Sequence, residues 1–296
     1  AGQTMPLATL GRTGVQVSRL GLGCAHFQRP HVRIDDVTAV LHRAVELGVN
    51  YLDTAPNYGA GPNVAEQKMG PAVREIRDRL FLVTKTEEPT YEGTWRLLRQ
   101  SLTRLQTDHL DLVHLHNFGQ VERFPDLQFT FSKRGAFGAL EEAKKQGVVR
   151  FIGASGHVFP ARFHAALDSG GIDVLMNAVN YVVQHVYDFE HKIWCRARHE
   201  NIGLVAMKVL GGAGPGGTGF QLPTDSYEWA MRYALSIPGL ACAVVGIENT
   251  TELEQAVATT VGFKPFTPAE AHTLAQRGLT LAADGDWPQV YGQPVD

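Results

Sequence analysis

Short apolar runs alternate with longer stretches of helical period eight times along this chain. The runs fall at 20–23, 50–53, 80–84, 110–115, 151–154, 174–179, 204–207 and 243–245. Helical stretches separate them, at 35–47, 64–73, 90–105, 137–146, 160–168, 189–199 and 225–236, and an eighth at 251–260 follows the last run. Capping residues open these stretches, and glycines such as Gly48, Gly147 and Gly170 close them. Each helix then acts as a crossover, so the strands must pair in parallel. Eight such units within 296 residues predict an α/β fold, a closed (β/α)8 TIM barrel, with a doubly wound open sheet as the alternative. The polar residues favour the barrel. Asp53, Lys85 and His116 all stand at the C-terminal ends of their strands, where barrel enzymes assemble their sites. An open sheet gathers such groups only at its switch point. The chain is therefore read as one barrel domain over residues 1–296.

Several segments fall outside the repeat. Residues 5–18 hold Gly11-Arg12-Thr13-Gly14 between two extended pieces and read as an N-terminal β-hairpin that would plug the bottom of the barrel. Residues 117–133 form an insertion that carries Phe118, Phe124, Phe129 and Phe131. Residues 211–224 are rich in glycine. Both loops leave the C-terminal face and are expected to wall a cleft. The phenylalanines either line that cleft or pack into a small core inside the loop. An extra C-terminal helix over 268–282 leads to a tail with Trp287 and Tyr291, the two together making up 268–296.

Composition narrows the function classes. A net charge of −3 with 19% charged residues gives no electrostatic footprint for nucleic acid. No apolar run approaches the ~18 residues of a membrane span. Cys24, Cys195 and Cys242 are widely separated and suggest neither structural zinc nor a disulfide framework. No signal peptide is evident, so a cytoplasmic location is the default expectation, although a cleaved leader would leave no trace. Oligomeric state is not legible.

Asp53, Tyr58, Lys85 and His116 make chemical sense together. Asp53 can hold the Lys85 ammonium across adjacent strands. A cation beside a phenol is expected to lower the tyrosine pKa. Tyr58 can then donate a proton to a carbonyl oxygen, or accept one in reverse. His116 can hydrogen-bond the same oxygen, so the group forms an oxyanion site with a proton donor. It contains no nucleophile, no metal cage and no source of electrons. Carbonyl reduction at such a site needs a hydride from a cofactor. No metal site is expected.

Leu52-Asp53-Thr54-Ala55-Pro56-Asn57-Tyr58-Gly59 resembles the D-T-A-x-x-Y-G signature of the aldo-keto reductases. Lys85 in Val83-Thr84-Lys85-Thr86, and His116 in Asp111-Leu112-Val113-His114-Leu115-His116, match that family in order and strand position. The resemblance runs from Leu20-Gly21-Leu22-Gly23 to the segment that opens at Val245-Gly246-Ile247. It implies a (β/α)8 barrel, a catalytic tetrad of Asp53, Tyr58, Lys85 and His116, NAD or NADP as cofactor, and a small carbonyl, alcohol or sugar substrate. It further implies cofactor contacts from Gly23, Cys24, Ser155, Asn177, Met207, Lys208, Leu210, Gly211, Gly246, Glu248, Asn249 and Glu252. Asn177 stands where the family has a Gln, and Met207 where it often has a stacking aromatic, which a thioether can replace. Ala25, His26, Asn117 and Phe118 would face substrate, with the small Ala25 enlarging the pocket. Gly246, Glu248 and Glu252 stand where relatives that prefer NADPH carry cations. Carboxylates there point to NAD or to dual use.

Other readings of the same residues stay open. A redox-neutral sugar-modifying enzyme would keep its nicotinamide through the cycle. A nicotinamide-binding regulatory subunit would keep the barrel and lose turnover. A metal-dependent hydrolase would use Asp53, His114 and His116, but strand alternation puts His114 a layer below His116.

Overall fold

A computed structural model describes residues 4–212 and 222–284. Most of the glycine-rich stretch expected at 211–224, and the tail with Trp287 and Tyr291, lie outside the described residues. The chain opens with β1 (Leu7–Thr9) and β2 (Gln16–Ser18), an antiparallel pair. Eight strands then follow: β3 (Leu20–Gly23), β4 (Tyr51–Asp53), β5 (Phe81–Thr86), β6 (Leu110–Leu115), β7 (Val149–Gly156), β8 (Val174–Ala178), β9 (Gly203–Met207) and β10 (Leu240–Gly246). They form a closed, all-parallel barrel in the order β10-β3-β4-β5-β6-β7-β8-β9, and β10 pairs with both β3 and β9. The eightfold repeat thus closes on itself, and the open-sheet alternative is excluded.

The helices are α1 (Ile34–Glu46), α2 (Ala65–Ile76), α3 (Tyr91–Leu105), α4 (Leu127–Thr130), α5 (Ala136–Lys145), α6 (Phe163–Asp168), α7 (Cys195–His199), α8 (Tyr227–Ser236), α9 (Thr250–Val261) and α10 (Pro268–Asp284). Local chemistry sets their ends. The Thr90 hydroxyl accepts from the Gly93 amide at 3.1 Å to start α3, and Asn249 Oδ1 accepts from the Glu252 amide at 3.0 Å to start α9. The stretch read as one helix over 189–199 begins with a π turn, Glu190–Trp194, before α7.

Two cores result. Tyr51, Phe81, Val83, Leu112, Val174, Met176, Val205 and Val244 fill the barrel interior. A larger apolar layer lies between the strands and the helices. Leu10, in the turn of the hairpin, is fully buried within the interior group, so the hairpin plugs the barrel floor as its sequence suggests. Arg12 fastens it there, donating to the carbonyls of Gly170 and Ile172 at 3.0 and 2.6 Å.

The 117–133 insertion holds a packed aromatic core. The Phe118 ring lies 5.7 Å from Phe124, 5.7 Å from Phe131 and 5.4 Å from Phe163. Phe118 has no exposed surface. The expectation that it faces substrate is corrected, because its ring is turned into the loop core and away from the cleft.

Candidate active site

The open end of the barrel gathers the polar residues. Asp53 ends β4, Lys85 lies inside β5, and His116 directly follows β6, its amide bonded to the Thr86 carbonyl at 2.7 Å. Strand alternation turns all three into the same mouth. Lys85 Nζ donates to both carboxylate oxygens of Asp53, at 2.7 and 2.8 Å, and to the Thr54 carbonyl at 2.7 Å. Tyr58 Oη is 3.3 Å from the same ammonium. The Tyr58 and His116 rings stand edge to face, 6.3 Å between centroids. The structure therefore joins all four residues of the expected tetrad.

The loop that carries Tyr58 is fixed by its backbone. Gly59 has φ +94°, and a Cβ there would stand 1.9 Å from the Asn63 carbonyl oxygen. The Tyr58 carbonyl accepts from the Ala65 amide at 2.8 Å, and Arg104 Nη1 donates to the Pro56 carbonyl at 3.0 Å. Glu66, fully buried, accepts from the Thr84 hydroxyl at 2.7 Å and faces Arg104. Thr54 and Arg104 are supports that the sequence reading missed. Backbone carbonyls leave no mark in composition or spacing, so nothing in the sequence signals them.

The electrostatics correct one expectation. Enclosure pushes the Tyr58 phenol above its ordinary value, and the Lys85 cation only opposes that rise. The phenol stays protonated at neutral pH. Burial works to lower the Lys85 ammonium, but Asp53 and Tyr58 outweigh it and hold the lysine charged. Burial, reinforced by Lys85, keeps His116 and His114 neutral well below the ordinary histidine range. His114 is fully buried one layer down, its ring against Gly153. Among the described residues no three His, Cys, Asp or Glu side chains stand close enough to hold a metal.

Other sequence-predicted residues fare unequally. Ser155 lies in β7 and is fully buried, its hydroxyl without a hydrogen-bond partner among the described residues. Met207 closes β9. Gly23 and Gly246 end paired strands, and the His26 imidazole lies over Gly246, where a Cβ would meet it at 2.9 Å. His26 therefore stands against the end of β10, and burial, then Arg29, lowers its pKa. Ala25 is half-buried beside it. Leu210 and Gly211 follow Lys208 in the turn after β9. Cys24 is fully buried, and burial raises its thiol pKa far out of the reactive range.

Asn177 is tied into the fold. Its Oδ1 accepts from Trp194 Nε1 at 2.8 Å, its Nδ2 donates to the Gly156 carbonyl at 3.4 Å, and it is buried. These bonds fix the orientation of the amide. Asn117, with φ +55°, instead accepts from His157 Nδ1 at 3.0 Å. Burial, with Lys208 and Lys85 adding to it, takes the His157 pKa down to about 3.

Glu248 is not a bare carboxylate. Arg29 and His31, from the loop after β3, both bind it and hold it below the usual carboxylate range, with His31 the larger influence. Glu252 Oε2 accepts from the Glu248 amide at 2.8 Å and helps to cap α9, whose N-cap is Asn249.

His114, His116 and His157 make stability depend on pH. Their folded pKa values lie below the unfolded value of 6.5, so between the two the unfolded chain binds more protons. Stability is then fully present above about pH 6.5 and is lost as pH falls through the window toward the folded values. Each such group contributes a slope of up to ~1.4 kcal/mol per pH unit. The urea midpoint should drop clearly between pH 7.5 and pH 5, and a flat profile would refute the neutral-histidine assignment.

Comparison with known proteins follows the same lines. A model of the aldo/keto reductase family matches residues 19–216. An uncharacterized oxidoreductase of Bacillus subtilis, YqkF, is 34% identical over 158 residues, which is 49% of this chain and 47% of that protein. L-Galactose dehydrogenase of Arabidopsis thaliana is 30% identical over 193 residues, 60% of this chain and 57% of that one. The chain spans about half the length of the curated relatives it matches. The fold resembles that of an aldo-keto reductase from Klebsiella pneumoniae solved in complex with NADPH, with a TM-score of 0.73 at 19% identity, covering 100% of this chain and 98% of that one.

Proposed function

This chain belongs to the aldo/keto reductase family, and from that premise we propose that it is a nicotinamide-dependent oxidoreductase that interconverts a small carbonyl compound and its alcohol. The observation that carries the reading is the Lys85 ammonium, which touches the Asp53 carboxylate, the Thr54 carbonyl and the Tyr58 hydroxyl at once. Tyr58 is the proton donor in reduction, and its protonated state at neutral pH suits that direction. Lys85 stabilises the phenolate left behind. Neutral His116 donates a hydrogen bond to the carbonyl oxygen and orients it. Asp53 fixes the ammonium. The apolar loop core behind Phe118 keeps the insertion rigid beside the cleft.

When bound, a nicotinamide dinucleotide supplies the hydride that no side chain can carry. The residues present fit such a group. The unpartnered Ser155 hydroxyl suits a carboxamide, and Met207 offers a soft face for a ring. Aldehydes, ketones and sugars all fall within the substrate class, and L-galactose dehydrogenase among the relatives favours a sugar.

Cofactor choice follows from Glu248. Its charge is balanced by Arg29 and its second oxygen is bonded by His31, so a 2′-phosphate would meet a cation as well as a carboxylate. Dual use of NAD and NADP is the reading proposed. Titrating the purified protein with NADH and with NADPH, by quenching of tryptophan fluorescence, tests both steps. Dissociation constants within about tenfold of each other are expected, a gap of ~1.4 kcal/mol. A preference of about a hundredfold or more refutes dual use. Binding of neither, with none retained through purification, refutes the oxidoreductase reading.

A further inference from the structure

Lys208 is a cation that the tetrad does not use. It directly follows β9 with φ +56°, a conformation that side-chain-bearing residues seldom adopt. Two hydrogen bonds to its own carbonyl hold it there, one from Asn180 Nδ2 at 2.9 Å and one from the Gly211 amide at 2.9 Å. Asn180 is itself fixed, since its Oδ1 accepts from the Val182 and Val183 amides at 3.0 and 2.9 Å. The Lys208 side chain folds back over Gly212. A Cβ at Gly212 would stand 3.3 Å from Lys208 Cδ and 3.6 Å from Nζ, on a backbone with φ +138°. A glycine is thus required where the lysine turns toward the barrel mouth.

Among the described residues no carboxylate is free to pair with it. Lys208 is half-buried and feels Lys85 and Asp53, while His26 and His157 feel it in turn. Asp53 is already bound by both oxygens to Lys85. His116 and His157 are neutral. Among the described residues Lys208 Nζ makes no ion pair, and the chain carries no acidic residue between Lys208 and Asp225. Burial, with the Lys85 charge adding to it, lowers its pKa, as expected of a cation without a carboxylate beside it. The tetrad and Lys208 together carry one uncompensated positive charge at the mouth, on a side chain whose backbone is held rigidly.

We propose that Lys208 binds an oxyanion, a carboxylate or phosphoryl group, on a ligand seated over the Lys85–Tyr58 pair. That ligand is an acidic substrate, such as a 2-oxo acid, a sugar acid or a phosphorylated aldehyde, and the assignment rests on the oxidoreductase reading above. A buried ammonium meeting such a group forms a charge-assisted hydrogen bond, whose loss weakens binding by about 10- to 100-fold.

Calorimetric titration of the whole chain with oxalate, inorganic phosphate and NADH separates the cases. It would be run on wild type, Lys208→Met and Lys208→Arg, with the denaturation midpoint of each variant as a folding control. The methionine variant is expected to lose about 10- to 100-fold in affinity for the oxyanion it binds, and the arginine variant to keep most of it. A loss confined to oxalate and phosphate assigns the site to substrate. A loss confined to NADH places Lys208 on the dinucleotide and overturns the proposal. Small-anion binding that needs Lys208 in a protein that binds neither NADH nor NADPH leaves the oxyanion site standing and removes the oxidoreductase reading. Unchanged affinity for all three probes in a folded Lys208→Met protein overturns the proposal, as does failure of wild type to bind any of them.

Discussion

Tyr58→Phe should reduce turnover by about 10²- to 10⁴-fold, the usual loss when a positioned general acid is removed. Dinucleotide affinity should barely change. The substitution deletes one oxygen and keeps the ring, which packs edge to face with His116 and lies 5.0 Å from Lys85 Nζ. Stability should barely change, because the ring and its packing are retained. Single-turnover reduction with either dinucleotide, beside a binding titration, separates the two effects. Activity within a few-fold of wild type would remove Tyr58 from the chemistry and leave the tetrad as a structural ion-pair network.

The second large effect is expected at Lys85. Asp53 is 3% exposed and Lys85 1% exposed, so Lys85→Met strands a carboxylate in the barrel. Breaking a buried pair from one side typically costs about 3–5 kcal/mol, far more than the intact pair contributes. Turnover should collapse as well, because the phenolate loses its cation. Stability and activity can be separated by the Asp53→Leu/Lys85→Met double variant, which removes both charges. It should recover much of the lost stability, read as a urea midpoint, and none of the turnover. If Lys85→Met alone unfolds no more easily than wild type, the pair is solvated in solution and its tight geometry is not what holds the mouth together.

The sequence was most informative where a short-range pattern carries the physics. Strand alternation and helical period are local, so eight units and their parallel pairing could be read directly, as could the delivery of Asp53, Lys85 and His116 to one end. Boundaries drifted by up to three residues: β5 extends past Lys85 to Thr86, β7 continues to Gly156 and β10 starts at Leu240, because strand ends depend on neighbours in the barrel. What could not be read was the identity of distant partners. Asn177 is engaged by Trp194, and Glu248 by Arg29 and His31, pairings made only when the barrel closes. Phe118 followed the same logic, its place decided by Phe163 on a helix beyond the loop. The rise in the Tyr58 pKa was missed because one neighbour, Lys85, is legible in sequence and the degree of enclosure is not.

The pairing of β3 with β10 bears on how the chain reaches its native state. Leu20 meets Ala243 and Gly23 meets Gly246, residues separated by about three quarters of the chain. Every other neighbouring strand pair in the barrel is linked by a single crossover, so the arc from β3 to β10 can grow from contacts close in sequence. The seam cannot. Its loop-closure entropy must be met before any of its backbone bonds form, although that cost rises only slowly with loop length. Until then two strand edges stand open, each able to template pairing with another chain. The same closure that assembles a mouth from eight strands therefore makes the unsealed barrel, rather than the finished one, the form most exposed to aggregation.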